Sequence, residues 1–158
     1  MNRINQFLKQ KYPNENINAN EKLLFHGTGG TNPRTIVSHH DSFMRDYSSI
    51  GFYGKGLYFA ELARYSNDGY SYNIPGSNLY QLLVCSVICG KSKEYGTQVD
   101  DGTKSLSQKD INNNGYQSVH AGPHQPTMQG KGYDDSCMYV IYKDTQVVPR
   151  YLITYKEI

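Results

Sequence analysis

Apolar positions along the chain fall into short runs that are separated by long polar stretches. Four runs have the length and composition of strands: Leu23–Phe25, Leu57–Ala60, Met138–Tyr142 and Val147–Tyr155. A longer run, Leu79–Cys89, contains β-branched residues, is nearly continuous in apolar character and ends at Gly90, which predicts a central strand buried on both faces. The pattern therefore predicts several short strands arranged around one buried strand.

Helical signals are fewer. Residues 3–12 place apolar side chains at helical spacing and predict a short amphipathic helix. Asn32 and Pro33 predict an N-cap and the first position of a helix that runs through Val37. Residues 61–67 favour another helix. Because strands dominate and do not alternate regularly with helices, the predicted fold class is α+β with a mostly antiparallel sheet.

The polar segments between these elements are predicted to be loops. Residues 41–53 lack any clean periodicity. Residues 91–114 are rich in Gly, Ser, Asp and Asn and predict a surface excursion with one short strand around Thr97–Val99. A further strand is predicted at Tyr116–Val119, and residues 120–135 form a segment rich in Gly, Pro and His.

The end of the chain carries two local signals. Lys143-Asp144 predicts a tight turn between the last two strands. Pro149 has no N–H to donate to a neighbouring strand, so it predicts a β-bulge or an edge position in the last strand.

Composition narrows the class of protein. The chain has 158 residues, 37% hydrophobic and 19% charged, with a net charge of +2, which is typical of one soluble globular domain. Without a basic stripe, nucleic acid is not the expected partner. No apolar run is long enough to span a bilayer, and the N-terminus lacks a secretory signal. Three cysteines in apolar sequence favour reduced thiols and an intracellular location, although a secreted bacterial effector stays open.

Two short motifs have the composition of ligand sites. His26-Gly27-Thr28 follows a predicted strand and can present several hydrogen-bonding groups to a polar ligand. Gly54-Lys55-Gly56 precedes the strand that contains Tyr58, and such glycines allow either a tight turn or the close approach of a ligand. On composition alone, a structural turn is the favoured interpretation of the glycine motif, whereas a ligand site and an ordinary loop are equally consistent with the histidine motif.

Together with the last strands, these motifs resemble the catalytic domain of the poly(ADP-ribose) polymerase family, within the diphtheria-toxin-like ADP-ribosyltransferases. The resemblance rests on three blocks in order: Leu24-Phe25-His26-Gly27-Thr28, Tyr53-Gly54-Lys55-Gly56-Leu57-Tyr58-Phe59-Ala60, and Met138–Tyr142 followed by Gln146–Thr154. It implies an ADP-ribosyltransferase fold of two packed, mostly antiparallel sheets with a few short flanking helices. It also implies one catalytic domain over residues 1–158, without a helical regulatory subdomain.

The resemblance implies NAD+ as co-substrate, without a metal. His26 would hydrogen-bond a ribose hydroxyl, and Thr28 would assist on the adenosine side. The backbone of Gly27 and the side chain of Ser66 would hold the nicotinamide carboxamide. Arg45 falls in the segment that corresponds to the family's donor loop over the adenosine.

The nicotinamide ring would lie against Tyr58, whose block continues into Phe59 and Ala60 at the cofactor site. The opposite wall should be a tyrosine after Ser66. Tyr70 is the first choice, but it lies four residues after the serine whereas relatives use three or five, so Tyr72 stays open as the substitute.

Met138 occupies the position at which polymer-forming relatives carry a catalytic glutamate. Methionine can neither accept a proton nor supply charge, so the resemblance implies a mono-ADP-ribosyltransferase that uses substrate-assisted catalysis, with His26, Tyr58 and Met138 at the catalytic centre. The expected acceptor is a protein Glu or Asp, with automodification possible, and the expected state is a monomer. The alternative is a catalytically weak or inactive NAD+ or ADP-ribose binding module. Transfer to nucleic-acid ends has little support from the near-neutral charge.

The other reactive side chains are expected to have no catalytic or metal-binding role. Asp134 and Asp135 are expected in a solvated loop rather than in place of the glutamate. His120 and His124 lack the helix or cysteine spacing of a zinc site. Cys85 and Cys89 should be core thiols.

Overall fold

The computed structural model describes residues 6, 9–11, 13, 18–38, 48–96, 101–123 and 136–156. Within them lie ten strands, four helices from Pro33 onward, and helical residues at 6 and 9–11. The strands are β1 (Glu21–His26), β2 (Ile50–Gly51), β3 (Gly54–Lys55), β4 (Leu57–Ala60), β5 (Tyr72–Asn73), β6 (Leu79–Ile88), β7 (Ser92–Gly96), β8 (Ser118–Ala121), β9 (Met138–Ile141) and β10 (Val147–Lys156). The helices are α1 (Pro33–Ser38), α2 (Ala63–Tyr70), α3 (Asp101–Lys104) and α4 (Gln108–Asn113). The predicted α+β class is confirmed.

Eight strands form one sheet in the order β10-β6-β1-β4-β9-β8-β7, with β5 also paired to β6. Their pairings are antiparallel except for the parallel pair β7–β8, and β2 and β3 form a small second sheet. β6 lies between β1 and β10. Its Leu83, Cys85 and Val87 are fully buried on one face, and Leu82 and Ser86 are buried on the other. A strand covered on both faces needs apolar side chains on both faces, so the continuous run predicted this central strand correctly.

The sheet is weakest between β1 and β4. These two strands pair through one residue pair, Phe25 with Ala60, whereas β1 and β6 pair over six. The junction divides the sheet into a half made of β10, β6 and β1 and a half made of β4, β9, β8 and β7. One core cluster joins the halves, since it contains Leu24, Leu83 and Val87 from the first and Phe59, Tyr139 and Ile141 from the second. This packing agrees with the expected two-sheet architecture.

A second core cluster lies on the opposite face of the β4–β9–β8–β7 half. It contains Val119 and Ala121 of β8 and Met138 and Val140 of β9, with Tyr142 next in the chain. Because side chains alternate along a strand, β9 contributes Met138 and Val140 to this cluster and Tyr139 and Ile141 to the first one.

The turn and the bulge predicted around the last strand are both present. A 3-10 turn at Asp144–Gln146 leads into β10, and the register of β10 against β6 shifts between Pro149 and Tyr151. Pro149 is therefore at a bulge in an edge strand, as predicted. β9 and β10 do not pair with each other, because three strands lie between them in the sheet.

The helix predictions had mixed outcomes. α1 is correct: the Asn32 side-chain oxygen accepts a hydrogen bond from the Arg34 N–H at 3.0 Å. The helix expected at 61–67 begins at Ala63 and extends to Tyr70, with a break in helical geometry at Asp68 and Gly69. Of the helix predicted at 3–12, residues 6 and 9–11 are helical, and the remainder lies outside the described residues.

The surface excursion predicted for 91–114 was wrong in detail. Residues 92–96 form β7, and α3 and α4 follow, while residues 97–100, including the predicted strand, lie outside the described residues. The sequence does contain the signal for α4. Ser107 and Asp110 form a reciprocal capping box, and Ile111 anchors the helix with an exposed fraction of only 3%.

The loop predicted at 41–53 contains a short strand near its end, because Ile50–Gly51 pairs with Gly54–Lys55. Residues 41–47 lie outside the described residues, as do residues 124–135 of the other predicted loop. Within the described residues, no helix combines the length and apolar character that crossing a bilayer requires.

Candidate functional site

A cavity of about 910 Å³ lies beside the junction of the two half-sheets. Its walls come from the end of β1, from β4, from α1 and α2 and from the segment before β3. The lining includes these residues predicted from the sequence: His26, Gly27, Thr28, Tyr58, Phe59, Ala60, Ser66, Tyr70 and Met138. The fold thus brings together residues from all three sequence blocks at a pocket large enough for a small-molecule ligand.

His26 connects the two strands where their pairing stops. Continuing the antiparallel register beyond Phe25–Ala60 would set His26 opposite Phe59, but the ladder does not extend that far. Instead, the His26 ring lies 5.1 Å from the Phe59 ring, and His26 Nδ1 is 2.7 Å from the carbonyl oxygen of Tyr58. A carbonyl can only accept, so Nδ1 carries the proton and Nε2 is the acceptor nitrogen of the neutral ring.

Burial keeps that ring neutral. Desolvation lowers the pKa of His26 below its ordinary value of 6.5, and the bond to the Tyr58 carbonyl opposes this effect only in part. At neutral pH, His26 therefore offers a hydrogen-bond acceptor to a ligand hydroxyl rather than a positive charge.

Tyr58 is fixed at both ends. Its backbone carbonyl accepts from His26, while its hydroxyl donates to the Gly54 carbonyl at 2.8 Å and accepts from the Tyr53 N–H at 2.9 Å. Burial raises the pKa of Tyr58 to about 12, so the hydroxyl stays protonated. With its hydroxyl engaged in the β2–β3 turn, Tyr58 presents its ring as a rigid wall of the cavity.

Gly51 leaves the space that the Tyr58 ring occupies. A Cβ placed on Gly51 would lie 2.6 Å from the Tyr58 ring, so any side chain there would displace the tyrosine. Sequence reasoning did not single out Gly51, because the contact depends on how the β2–β3 pair folds back over β4.

Gly27 and Tyr70 form the opposite side. The Gly29 N–H donates to the Tyr70 carbonyl at 2.7 Å, and a Cβ on Gly27 would collide with the Tyr70 backbone. The absence of a side chain at Gly27 therefore lets the end of α2 pack directly on the chain that leaves β1. Ser66 is buried in the same helix and also lines the cavity.

A pair of tyrosines lies at this end of the cavity. The rings of Tyr65 and Tyr70 stack at a centroid distance of 6.1 Å, with an interplanar angle of 15°. Tyr70 lines the cavity and is 49% exposed, whereas Tyr72 begins β5 and is not among the lining residues. Of the two alternatives for the second aromatic wall, the structure brings Tyr70 to the cavity.

Met138 lies in the cavity wall beside the pocket-side end of β4. It pairs with Ala60 on one side and Ala121 on the other, and its exposed fraction is 2%. Among the described lining residues, none is Asp or Glu, and the charged side chain is Lys104. The described wall can hold and orient a ligand, but it supplies no carboxylate at the floor.

Three of the positions considered from the sequence, Arg45, Asp134 and Asp135, lie outside the described residues. Thr28 lines the cavity while its hydroxyl donates to the Thr31 carbonyl at 2.6 Å.

Several lining residues were not identified from the sequence. They come from α1, from the segment before β3 and from α3, and they are Thr35, Ile36, Ser48, Ser49 and Lys104. α1 had been predicted as a helix, but nothing in its periodicity shows that it borders a site. Lys104 belongs to a helix that was not predicted.

The two core cysteines have no part in this site. Cys85 and Cys89 are fully buried in the cluster that joins the half-sheets, and burial raises the pKa of each thiol to about 12. Their assignment as unreactive core thiols agrees with this environment.

Comparison with known proteins identifies the family of this architecture. Residues 2–157 match the family model described as the poly(ADP-ribose) polymerase catalytic domain. A Dictyostelium discoideum protein named as a probable poly [ADP-ribose] polymerase is 31% identical over 150 residues, which cover 95% of this chain and 38% of that protein. The human protein mono-ADP-ribosyltransferase PARP14 is 32% identical over 146 residues, covering 87% of this chain and 7% of its own. The chain thus spans well under half the length of these relatives.

The packing of Gly27 against Tyr70 yields a stability prediction. Gly27→Ala should force α2 away from β1 and lower the free energy of unfolding by about 1–3 kcal/mol, the usual cost of overpacking a tight contact. Gly30→Ala is the matched control, since a Cβ there meets nothing within 4 Å, and it should change stability by less than about 0.5 kcal/mol. Urea denaturation of the three proteins measures both effects. Equal stability of the two variants would contradict the described contact.

The low pKa of His26 yields a pH dependence. The unfolded chain binds a proton at His26 near pH 6.5, while the folded chain does so only at lower pH, so stability should fall as the pH drops below about 6.5. His26→Gln, which retains an N–H donor for the Tyr58 carbonyl, should lose less stability between pH 7.5 and pH 5.5 than the unmodified chain. Urea denaturation at the two pH values measures the difference, and parallel losses in both proteins would refute the assignment.

Proposed function

This chain belongs to the poly(ADP-ribose) polymerase catalytic domain family, and we propose on that basis that it is an NAD+-dependent mono-ADP-ribosyltransferase acting on a protein. The observation that carries the proposal is the cavity itself: a neutral His26 bonded to the Tyr58 carbonyl, beside a floor formed by Met138. NAD+ is the co-substrate, and the reaction transfers one ADP-ribose unit.

Except for Arg45, each proposed role is assigned to a group that lines the cavity. Nε2 of His26 accepts a hydrogen bond from a ribose hydroxyl, since Nδ1 is already used. The nicotinamide ring stacks on Tyr58, with Tyr70 as the aromatic residue on the other side. The backbone of Gly27 and the hydroxyl of Ser66 bind the carboxamide. Thr28 contacts the adenosine portion, and Arg45 is proposed to cover it.

The chemistry separates charge at the ribose. As the bond from the ribose carbon to the nicotinamide nitrogen breaks, its electron pair leaves with neutral nicotinamide, and positive charge develops on the ribose. A site accelerates this step by binding the departing group and fixing the reacting conformer. Tyr58 and Gly27 serve this purpose by holding the nicotinamide half in one orientation.

In the proposed reaction, the acceptor substrate supplies the negative charge that the described cavity lining lacks. The described lining contains no Asp or Glu, so we propose that the acceptor brings its own carboxylate, which stabilises the developing cation and then forms the new bond to the ribose carbon. A Glu or Asp side chain of a protein fits this role. Chain elongation requires activation of a sugar hydroxyl by a general base, and Met138 cannot provide it. The product is therefore a single ADP-ribose unit.

The direct test is incubation with NAD+ labelled on its ADP-ribose portion, followed by gel electrophoresis of the modified protein. We expect one discrete labelled band from automodification. His26→Ala and Tyr58→Ala should each reduce the labelling at least about 100-fold, as expected when a positioning contact is removed. Tyr151→Ala, an exposed position on β10 far along the sheet from β4, is the matched control and should retain the labelling.

Other outcomes of this assay separate the alternatives. A long smear would refute transfer of a single unit. Absence of label together with NAD+-dependent thermal stabilisation would identify a binding module instead of an enzyme. Circular dichroism spectra of each variant establish that it is folded before its activity is interpreted.

Met138 can be tested separately, because its proposed contribution is shape and not chemistry. Met138→Leu conserves the volume of a buried side chain and should cost less than about 1.5 kcal/mol of stability. We expect this variant to retain labelling within about threefold of the unmodified chain. The backbone at position 138 is held by strand pairing on both sides, so a small loss of stability should not move the cavity wall. A loss comparable to that of His26→Ala would contradict the proposed role.

A further inference from the structure

A second cluster of reactive side chains lies across the sheet from Met138. One ligand atom from each of Glu61, His120 and Cys137 lies within 4.8 Å of the other two, and all three residues are partly buried. None of them lines the NAD+ cavity, and the proposed transferase reaction does not use them.

Strand register explains why these residues meet. Ala60, Met138 and Ala121 lie side by side on β4, β9 and β8. Glu61 directly follows Ala60, Cys137 directly precedes Met138, and the Glu61 N–H donates to the Cys137 carbonyl at 3.0 Å. His120 pairs with Tyr139, two positions from Cys137, so the two side chains share the face opposite Met138.

His120 is oriented as a metal-binding imidazole usually is. Its Nδ1 contacts the Glu94 carboxylate at 2.6 Å, and its ring stacks on Tyr139 at 4.5 Å. A carboxylate can only accept here, so Nδ1 carries the proton and Nε2 has the lone pair. Carboxylate–histidine pairs of this kind fix the tautomer and the ring of zinc ligands.

Two polar atoms at this place lack partners. His120 Nε2 and the hydroxyl of Ser136, the residue before Cys137, are both buried and make no hydrogen bond within the described part of the chain. An unsatisfied buried acceptor costs free energy, and a bound ion is one of the ways in which proteins satisfy it. The unpartnered Nε2 atom of His120 therefore supports the presence of a bound ligand at this place.

From this geometry we propose that Glu61, His120 and Cys137 bind one Zn²⁺ ion. Thiolate, imidazole and carboxylate together form a typical donor set for zinc, and a water molecule would complete the tetrahedron. Ligand atoms around tetrahedral zinc lie roughly 3.5 Å apart by those bond lengths, so side-chain adjustments of about 1 Å close the site. Binding releases the Cys137 thiol proton to solvent.

The surrounding charges are compatible with a divalent cation. Glu94 and Glu61 provide two carboxylates, while Lys22 provides one positive charge and pairs with Glu61 Oε1 at 3.7 Å. Since Lys22 pairs with Oε1, we assign the other carboxylate oxygen of Glu61, Oε2, to the metal. The site differs from a His120–His124 pair, which has no support from sequence spacing. Zinc here would join the ends of β4, β8 and β9 directly behind the floor of the cavity.

Metal binding by the full chain is the test. The protein is treated with a chelator, kept reduced and titrated with Zn²⁺ against a chromophoric competitor, and Co²⁺ is used separately as an optical probe. We expect one Zn²⁺ per chain and, for Co²⁺, a thiolate-to-metal charge-transfer band. At a hundredfold excess over its Kd, Zn²⁺ should raise the Tm by about 5 °C or more.

Variants identify the ligands. Cys137→Ser should abolish the Co²⁺ charge-transfer band, and His120→Ala should weaken Zn²⁺ binding at least about 100-fold. Glu94→Gln, at a side chain 69% exposed, should weaken it about 10- to 100-fold through loss of the carboxylate–histidine contact. The double variant with His39→Gln and His40→Gln removes the adjacent histidines most prone to adventitious binding and should bind Zn²⁺ as the unmodified chain does.

The proposal is overturned if the unmodified chain binds no Zn²⁺ at a one-to-one ratio, if the Co²⁺ band survives Cys137→Ser, or if Glu94→Gln leaves the affinity unchanged. Because Glu94 is on the surface and is not a ligand, its variant tests the geometry even if a ligand variant fails to fold. None of these readouts depends on NAD+, so the result stands independently of the transferase activity.

Discussion

The hydrogen bond from His26 to the Tyr58 carbonyl holds the site together at the point where the sheet comes apart. A fully paired β1 and β4 would leave no room for a ligand between them, and two unconnected strands would leave the walls without fixed positions. One residue pair followed by one side-chain bridge satisfies both requirements. The same bridge sets the tautomer of His26, so the architecture of the opening also determines which hydrogen-bonding group is presented to the ligand.

The sequence predicts which residues line the cavity where the signal for them is local. A histidine at the end of a strand, glycines before an aromatic strand and an apolar closing strand are visible in the sequence, and these segments meet in the cavity. The central strand was equally visible, because burial on both faces leaves a continuous apolar run. Pro149 indicated its bulge for a similarly local reason, since the missing N–H acts at the residue itself.

What sequence reasoning missed depends on positions distant along the chain. Lys104 reaches the cavity from a short helix hidden in polar sequence, and Gly51 matters only because the β2–β3 pair lies against the Tyr58 ring. Glu61, His120 and Cys137 are brought together by the register of three strands, and the first and the last lie 76 positions apart, so no spacing rule could have joined them. Periodicity reports which face of an element is buried, but it does not report what that face meets.

The glycine positions and Met138 differ in the substitutions that the fold can accommodate. At Gly27 and Gly51 the space for a side chain is already taken by the Tyr70 backbone and the Tyr58 ring, so nearly every substitution damages the shape of the pocket. Met138, in contrast, is held by strand pairing on both sides, and other residues of similar bulk can take its place without moving the walls. Substitutions at the two glycines therefore change the shape of the cavity, whereas a substitution of similar bulk at Met138 changes only the chemistry of its wall.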